Sequence, residues 1–329
     1  MSMPAFASPK IRPALDDSVA EFAAGVCSGL SKPQKELHSK YLYDELGSAL
    51  FEAITHLPEY GLTRADERLL CEHASEMADL LPAMGHVVEL GSGTGRKTRS
   101  ILAALSRRRL DLRYYPIDVS AEALTRCERE LSGLADVRPL RQSYLDGMAR
   151  AVEERVSSQP LLVLFLGSTI GNFERPCAMA FLRDLRSAMH IGDSLLLGAD
   201  LVKEPKRLLD AYDDPTGVTA AFNLNLLGRV NRELAGDFDL RKFQHVARWN
   251  ESDRRIEMHL RSRVNQTVSL MACGRTFHFR AGETVWTESS HKFLPDEMHH
   301  MAAACGFRVE AQWLDRQWPF VESLWSAAI

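Results

Sequence analysis

The stretch that decides the fold is Val87-Val88-Glu89-Leu90-Gly91-Ser92-Gly93-Thr94-Gly95-Arg96-Lys97. Apolar residues up to Leu90 predict a short buried strand, and the residues that follow Lys97 predict a helix. Glycines between them let the chain turn sharply and let a ligand approach the backbone closely. A dinucleotide-binding loop has the pattern G-x-G-x-x-G, but the third glycine position is Arg96 here. The loop therefore predicts a ligand site at a strand-to-helix turn and argues against a nicotinamide-dependent enzyme.

Strand and helix patterns alternate on both sides of this loop. Helical patterns separate apolar runs that predict strands at 86–90, 112–119, 137–140, 161–166 and 194–200. The run at 161–166 is apolar throughout, which is typical of a strand buried on both faces. This alternation predicts an α/β fold with a doubly wound, Rossmann-like parallel sheet.

The pattern changes after residue 200 and returns near the C-terminus. Alternating stretches such as 255–264 predict antiparallel strands, whereas a helix at 294–304 and strands at 307–313 and 320–328 restore the α/β pattern. We therefore predict a sheet domain that is interrupted by an α+β insertion. The predicted units are a flexible tail at 1–15, a substrate-binding domain of 16–60 plus 203–288, and a sheet domain of 61–202 plus 289–329.

Composition and charge are those of an ordinary globular protein. The 329 residues are 45% apolar and 26% charged, with a net charge of −4. A mildly acidic chain lacks the clustered positive charge that non-specific nucleic-acid binding needs. No apolar run is long enough to span a membrane, and the proline-containing N-terminus does not resemble a signal peptide. The six scattered cysteines form no C-x-x-C pair, so we expect reduced thiols in a cytoplasmic protein.

Three further positions indicate what the glycine loop binds. The pattern E-x-G-x-G-x-G at 89–95 resembles motif I of class I S-adenosylmethionine (SAM) methyltransferases. Asp118 ends the second predicted strand, where a carboxylate can accept both ribose hydroxyls. Its alternative role is a helix N-cap, for which Ser120 is better placed. Ser143 and Tyr144 follow the third strand, where an adenine contact is expected and Tyr144 can pack on the ring. The remaining alternative is that the glycines only form a tight turn.

Six segments, in the same order along the chain, resemble one family. They are YDELGS at 43–48, LPEY at 57–60, ELGSGTGRK at 89–97, FLGSTIGN at 165–172, AYDD at 211–214 and TESSHKF at 287–293. These segments resemble the histidine-specific Nα-methyltransferases of ergothioneine biosynthesis, and the similarity runs from about residue 30 onward. That family trimethylates the α-amino group of L-histidine with three SAM molecules, which gives hercynine. The resemblance implies SAM as methyl donor, a class I methyltransferase sheet and a second domain specific to the family.

The resemblance also implies which residues surround the reacting atoms. It implies that the SAM site is lined by Gly91, Gly93, Lys97, Asp118, Ser143 and Tyr144. Asn172 and Tyr60 would hold the amino and carboxylate end of the substrate and serve catalysis, helped by Tyr43, Tyr212 and the loop residue Gly167. A side-chain amide can orient a neutral amine, whereas a carboxylate would stabilise the unreactive ammonium. The alternative for Asn172 is a turn residue or N-cap before a helix.

The resemblance places another four residues at the imidazole ring. Glu288 and Ser290 have i, i+2 spacing, which puts both on the same side of a strand. One carboxylate and one hydroxyl can contact the two ring nitrogens, with Met258 and Phe51 against the ring. The alternatives are an exposed strand residue for Glu288 and core packing for Phe51. Indole has one ring nitrogen, so the pair favours histidine over tryptophan or another aromatic amine as the substrate. A SAM-binding protein that has lost catalysis is the other alternative.

The chain departs from the family pattern at three positions. Gly61 and Leu62 stand where relatives carry Tyr and Pro, which affects the loop over the amine. Ser143 stands where relatives often carry Asp, which affects adenine recognition. The pair at 299–300, both His, lacks ligand spacing, so no metal site is predicted. We expect a monomer that binds L-histidine and neither nucleic acid nor membrane.

Overall fold

The computed structural model describes residues 17–82, 84–108, 111–156 and 159–328, so the predicted tail at 1–15 lies outside the described residues. The helices are α1 (Asp17–Leu30), α2 (Glu45–Thr55), α3 (Leu62–Leu80), α4 (Arg99–Ser106), α5 (Ala121–Leu131), α6 (Tyr144–Glu153), α7 (Arg175–Ser187), α8 (Pro205–Tyr212), α9 (Val218–Leu234) and α10 (Pro295–Ala304). The strands are β1 (Lys35–Glu36), β2 (His86–Leu90), β3 (Arg113–Ile117), β4 (Asp136–Val137), β5 (Leu161–Phe165), β6 (Ser194–Asp200), β7 (Phe243–Asn250), β8 (Arg255–Ser262), β9 (Gln266–Leu270), β10 (Arg275–Phe279), β11 (Thr284–His291), β12 (Phe307–Asp315) and β13 (Phe320–Ala327).

A seven-stranded sheet forms the larger layer, in the order β12-β13-β6-β5-β2-β3-β4. Strands β6, β5, β2, β3 and β4 are parallel, whereas β13 lies antiparallel between β6 and β12. Every residue of β2, β5 and β6 is buried, as expected for central strands covered by helices on both faces. The predicted α/β fold with a Rossmann-like sheet is confirmed.

A second sheet of four strands has the order β1-β11-β8-β7. β1 pairs in parallel with β11, and the other pairs are antiparallel, as the alternating sequence of this region predicts. Helices α8 and α9 pack against β7 and β8. β11 continues in this sheet to His291, which lies beyond the predicted end of the insertion at 288. The division of the chain into domains stays a prediction.

Apolar side chains join the two sheets into one core. On one face of the large sheet, Val87 and Leu164 belong to the same buried cluster as Met258 and Leu260 of the small sheet. On the opposite face, Val88 packs in a separate cluster with helices α7 and α10. Because successive strand residues point to opposite faces, the neighbours Val87 and Val88 serve different cores. The small sheet is therefore anchored to the face of the large sheet that carries Val87.

Some predicted boundaries differ from the structure. The helix expected from Lys97 begins at Arg99, because the residues before it form turns that continue the glycine loop. The weak third strand is reduced to Asp136–Val137 and an isolated bridge between Leu140 and Ile117. No helix in the described ranges is long and apolar enough to cross a membrane.

The prediction that all cysteines are reduced thiols is wrong for one pair. The structure joins Cys27 of α1 and Cys273 of the turn between β9 and β10 as a disulfide, with Cα atoms 6.5 Å apart. Cys71, Cys127 and Cys177, like the buried Cys305, are free. The two bonded residues are separated by 246 positions, so their proximity arises only from the tertiary fold. Sequence spacing carries no signal for such a pair.

Candidate active site

The glycine loop joins β2 to α4 at the carboxyl edge of the large sheet. Gly91, Gly93 and Gly95 have φ angles of 78°, 53° and 73°, a region of backbone conformation that residues with a Cβ rarely adopt. A Cβ at position 95 would lie 2.7 Å from Cys127 Sγ, so the third glycine allows the loop to pack on α5. A Cβ at position 93 would meet no atom within 4 Å, so this part of the loop is open.

Glu89, the acidic residue of the E-x-G-x-G-x-G motif, is buried near the end of β2. Glu89 accepts hydrogen bonds from Thr98 Oγ1 at 2.7 and 2.8 Å and from the hydroxyl of Tyr114 on β3. Burial raises the pKa of Glu89 to about 7, although these hydrogen bonds lower it. Glu89 therefore ties the strand that precedes the loop to the residues that follow it.

Asp118 lies beside the glycine loop, as the sequence predicts. Its Oδ2 accepts a hydrogen bond from Gly93 N at 3.0 Å, and its Oδ1 accepts one from Ser120 N at 2.9 Å. Ser120 is the N-cap of α5, with its side chain accepting from Ala123 N at 3.2 Å. Asp118 is thus not the helix cap, and its carboxylate retains lone pairs for further donors.

The region after β4 places a tyrosine near the glycine loop, directly after the N-cap serine of α6. Ser143 is the N-cap of α6, and its hydroxyl donates to Asp146 Oδ2 at 2.6 Å. Tyr144 packs against Phe165, with ring centroids 5.7 Å apart. The Tyr144 hydroxyl lies 3.2 Å from the position that a Cβ at Gly91 would occupy.

Lys97 links the glycine loop to the loop that follows β5. Its Nζ donates to Asp66 Oδ2 at 2.6 Å, and the same oxygen accepts from Gly167 N at 2.9 Å. Gly167 and Ser168 both have positive φ, 69° and 56°. Asp66 is fully buried on α3 and was not singled out by the sequence, because an acidic residue inside a helix gives no signal of its partners.

Asn172 ends the short 3-10 helix Thr169–Asn172 in the same loop. The preceding Gly171 packs so closely on β11 that a Cβ there would lie 2.8 Å from His291 O. Asn172 is partly exposed, and its amide has no hydrogen-bond partner within the described ranges. The loop therefore brings an unengaged side-chain amide to the junction between the two sheets.

An aromatic cluster lies at this junction. Tyr43 and Phe51 are in edge contact with ring centroids 5.5 Å apart, and Phe51 and Tyr60 are 6.4 Å apart. Tyr60 contacts Tyr212 at 5.9 Å. Phe222 of α9 completes the cluster, at 5.6 Å from Tyr43 and 5.9 Å from Phe51. The structure thus brings together the four predicted aromatic residues, and it adds Phe222, whose place in an apolar helix resembled ordinary core packing.

Glu288 lies on β11 opposite Met258 of β8, just after a bulge between Trp286 and Glu288. Burial raises the pKa of Glu288 to about 7, against the charge of Lys292, which lowers it. The charge of Glu288 in turn adds to burial in raising the pKa of Tyr60 and Tyr212, as it does for Tyr43. The carboxylate therefore faces the aromatic cluster, with buried Met258 at its side.

Ser290 belongs to a buried polar network behind the cluster. Its Oγ is 2.7 Å from the hydroxyl of Tyr212. Lys292 Nζ donates to Ser290 Oγ at 2.8 Å and to the Tyr212 hydroxyl at 3.0 Å, and it lies 2.8 Å from Asp200 Oδ2. Lys203 and Trp318 both donate to Asp200 Oδ1, at 2.6 and 2.8 Å. Lys292 lies within the TESSHKF segment at 287–293, but the sequence predicts no role for it.

The departure from the family pattern at Gly61 has a structural counterpart. A Cβ at this position would lie 2.2 Å from the ring of Trp318, so the indole occupies the space of a side chain. Leu62 begins α3 and is buried. The main chain of the loop that holds Tyr60 therefore packs directly on Trp318.

Within the described part of the chain, no group of three or more His, Cys, Asp or Glu side chains is arranged to hold a metal ion. The groups at the site are instead a glycine loop, an amide, a carboxylate, hydroxyls and aromatic rings. These groups suit an uncharged or cationic organic ligand that carries hydrogen-bonding atoms at both ends.

Comparison with known proteins identifies the family. The family model of SAM-dependent, histidine-specific methyltransferases matches residues 22–327. A histidine N-alpha-methyltransferase from Mycobacterium tuberculosis is 45% identical, covering 91% of this chain and 92% of that protein. One from Mycolicibacterium smegmatis is 43% identical, covering 94% and 96%. Ergothioneine biosynthesis protein 1 from Neurospora crassa is 31% identical over 85% of this chain and 32% of that protein. The chain therefore belongs to the SAM-dependent, histidine-specific methyltransferases.

Proposed function

We propose that this enzyme transfers methyl groups from SAM to the α-amino group of L-histidine until the amine is trimethylated. The product would be hercynine, in a step of ergothioneine biosynthesis. The observation that carries the proposal is that Glu288 and Ser290 share strand β11, with the Ser290 hydroxyl 2.7 Å from that of Tyr212 in the aromatic cluster. A carboxylate and a hydroxyl together match the two nitrogens of an imidazole ring. The family match and the two bacterial relatives support the same substrate.

The glycine loop and Asp118 fit SAM. An ionised carboxylate has about four lone-pair positions, and backbone N–H groups use two of them at Asp118. The two that remain suit the two ribose hydroxyls, while the open loop at Gly93 allows close approach of the ligand. The proposed SAM site consists of Gly91, Gly93, Lys97, Asp118, Ser143 and Tyr144.

Ser143 stands where relatives often carry Asp, and a neighbouring carboxylate can replace the missing one. This chain places Asp146 within hydrogen-bonding distance of the Ser143 hydroxyl. We propose that Asp146 supplies the carboxylate on the adenine side, with Ser143 holding it in place. Both residues are exposed at the start of α6, as a ligand contact would require.

Bound SAM supplies an electrophilic methyl group on a sulfonium, and the protein aligns the acceptor amine with it. Alignment of this kind is worth up to about 7–11 kcal/mol. Asn172 orients the amine through an amide that does not stabilise the ammonium form. Burial raises the pKa of Tyr60 well above its usual range, so its phenol stays protonated and donates to the substrate carboxylate. The amine proton then leaves to water before each transfer.

The aromatic cluster suits the charges that appear during the reaction. Both SAM and the trimethylated product are cations, and aromatic faces attract cations by about 0.5–2 kcal/mol each. Tyr43, Phe51 and Tyr212 supply such faces around the proposed amine position, together with Tyr60. Gly167 avoids crowding Lys97, because a Cβ at that position would lie 3.0 Å from Lys97 Nζ.

At the other end, the ring of histidine would lie between Glu288, Ser290 and Met258. Glu288 accepts the N–H of one ring nitrogen, and Ser290 contacts the other. A site built to hydrogen-bond a ring rejects analogues that leave its buried polar atoms unpaired. Tryptophan, with a single ring nitrogen, would leave one of the two partners without a bond.

Mass spectrometry of product mixtures tests the proposed function. Purified enzyme is incubated with SAM and each of the twenty amino acids in turn. Histidine alone should gain one, two and then three methyl groups on its α-nitrogen. Trimethylation of tryptophan in preference to histidine, or methylation of a ring nitrogen, would contradict the proposal.

We further propose that the enzyme is a cytoplasmic monomer. All the residues assigned above come from one chain, so no second copy is needed to complete the site. Size-exclusion chromatography with light scattering, and fractionation of cells that express the protein, test the two statements separately. A dimer at micromolar concentration would contradict the first, and recovery outside the cytoplasm the second.

A further inference from the structure

Lys292 is a fully buried charged residue that the proposed mechanism does not use. Its ammonium has three N–H donors, and the structure offers three acceptors, namely Asp200 Oδ2, Ser290 Oγ and the Tyr212 hydroxyl, at 2.8, 2.8 and 3.0 Å. Burial alone would raise the pKa of Asp200, but the ammonium groups of Lys292 and Lys203 outweigh it and lower that pKa. Asp200 is therefore held as a carboxylate by two buried ammonium groups, and Lys292 contacts its Oδ2 as an ion pair.

The contacts of Lys292 restrict the hydrogen bonds that its two hydroxyl partners can make. An ammonium only donates, so the Ser290 and Tyr212 oxygens must each accept from it. The two oxygens are 2.7 Å apart, so one hydroxyl proton joins them. The hydroxyls of Ser290 and Tyr212 carry one proton each. The hydrogen bond between them uses one of these protons, so one hydroxyl proton remains for a third group.

The position of Glu288 decides which hydroxyl keeps that proton. An ionised carboxylate accepts the N–H of the imidazole, and the other nitrogen of a neutral ring is then itself an acceptor. Ser290 must donate to that nitrogen. This is achieved when Tyr212 donates to Ser290, because Ser290 then has both lone pairs occupied and only its own proton to offer.

We propose that Lys292 is a positioning residue that makes Ser290 a hydrogen-bond donor, so that the site selects the neutral imidazole ring of histidine. This inference rests on the proposed function. Lys292 also acts on Glu288 through its charge, which favours the carboxylate form that accepts the ring N–H. Lys292 thereby makes Ser290 the hydrogen-bond donor to the ring and favours Glu288 as the acceptor from it.

The charge of Lys292 should affect the pH dependence of kcat/KM. Burial raises the pKa of Glu288 to about 7, and Lys292 is the neighbouring charge that lowers it. The other titratable groups facing Glu288 are Tyr43 and Tyr60, which flank α2, and Tyr212 at the end of α8. All three are phenols whose pKa values are raised, so they are neutral near pH 7. Loss of the lysine charge should therefore move the acid limb of kcat/KM to higher pH.

Lys203 offers a matched control. It is buried next to the same carboxylate, with Nζ 2.6 Å from Asp200 Oδ1 and from Leu201 O. It makes no hydrogen bond to Ser290 or Tyr212 among the described residues. Lys203→Met and Lys292→Met each remove one buried ammonium from Asp200, so both should lower thermal stability. Only the second removes donors from the hydroxyl pair.

The test compares kcat and KM for histidine across pH 6–9 in wild type, K292M and K203M, with SAM affinity measured by calorimetry. K292M should lose about ten- to a hundredfold in kcat/KM, mainly through KM, the range for lost hydrogen bonds to a charged group. Its acid limb should lie at higher pH than that of wild type, and its SAM affinity should be unchanged. The acid limb of K203M should coincide with that of wild type. The titration of the substrate histidine contributes equally to all three proteins, so it does not affect this comparison.

Equal effects of K292M and K203M, or an unshifted limb in K292M, would overturn the inference and leave Lys292 as a packing residue. If K292M does not fold, K292Q serves instead, since its amide keeps N–H donors without the charge. K292Q should raise KM less than the amount expected for K292M, while its acid limb lies at higher pH than that of wild type; a wild-type limb in K292Q would also overturn the inference. Failure of the wild-type enzyme to methylate histidine would overturn the proposed function itself, and the inference with it.

Discussion

Replacing Asp118 by alanine tests the proposed SAM site most directly. In the structure this carboxylate accepts from Gly93 N at 3.0 Å and Ser120 N at 2.9 Å, and its remaining lone pairs suit the ribose hydroxyls. Gly93 of the glycine loop and Ser120 before α5 are both partly exposed, so water can replace the lost acceptor of each backbone N–H. The loss of affinity should therefore come mainly from the ribose bonds. Hydrogen bonds to a charged group are worth about 1.5–3 kcal/mol, which corresponds to roughly a ten- to hundredfold weaker Kd.

Calorimetric titration of wild type and D118A with SAM and with S-adenosylhomocysteine measures this change. The matched control is Ser120→Ala, which removes the N-cap bond to Ala123 N but leaves the Asp118 carboxylate in place. S120A should lose about 0.5–2 kcal/mol of folding stability and keep the wild-type affinity for SAM. Unchanged SAM affinity in a folded D118A would show that Asp118 only supports the glycine loop and would refute its assignment to the ribose.

Three other results are expected. Asn172→Ala and Tyr60→Phe should each lower the rate of methylation while calorimetry finds SAM affinity nearly intact, because we propose that both residues contact the substrate and not SAM; a wild-type rate in N172A would make that residue structural. Glu288→Ala combined with Met258→Val should lose kcat/KM for histidine and gain tolerance for tryptophan, and an unchanged preference would mean that the ring is bound elsewhere. With a pKa of about 7, Glu288 becomes protonated as the pH falls below 7, so kcat/KM should fall there more steeply in wild type than in E288Q, and identical pH profiles would count against the carboxylate as the ring acceptor.

The backbone of the site was predictable because each part carries a local signal. Glycines with positive φ, an acidic residue at the end of a strand and a serine before a helix are all visible in the sequence. Asp118 beside Gly93 and Ser120 at the N-cap followed from the alternation of strands and helices alone. The i, i+2 spacing of Glu288 and Ser290 likewise predicts a shared face, and the resemblance to a family supplied their roles.

Contacts between distant segments could not be predicted in the same way. Asp66 lies inside α3 and meets Lys97 and Gly167 only because three elements converge at the sheet edge. Phe222 contributes to the aromatic cluster from a helix whose apolar pattern predicts nothing more than burial. The network around Lys292 depends on a side chain that points inward although lysines are rarely fully buried. Such pairings are properties of tertiary packing, which periodicity does not encode.

The position of β13 has a consequence for the order in which the polypeptide is synthesised and folds. This strand, near the C-terminus, fills the gap between β6 and β12, and its Trp325 is completely buried. When only residues up to 300 have emerged from the ribosome, β6 can pair with β5 on one side, but the backbone groups on its other side have no strand to pair with. Until residues 320–327 emerge, that edge is a template for pairing with other chains. The enzyme must complete its translation before its central sheet is protected, and during that interval the exposed edge favours aggregation of the nascent chain.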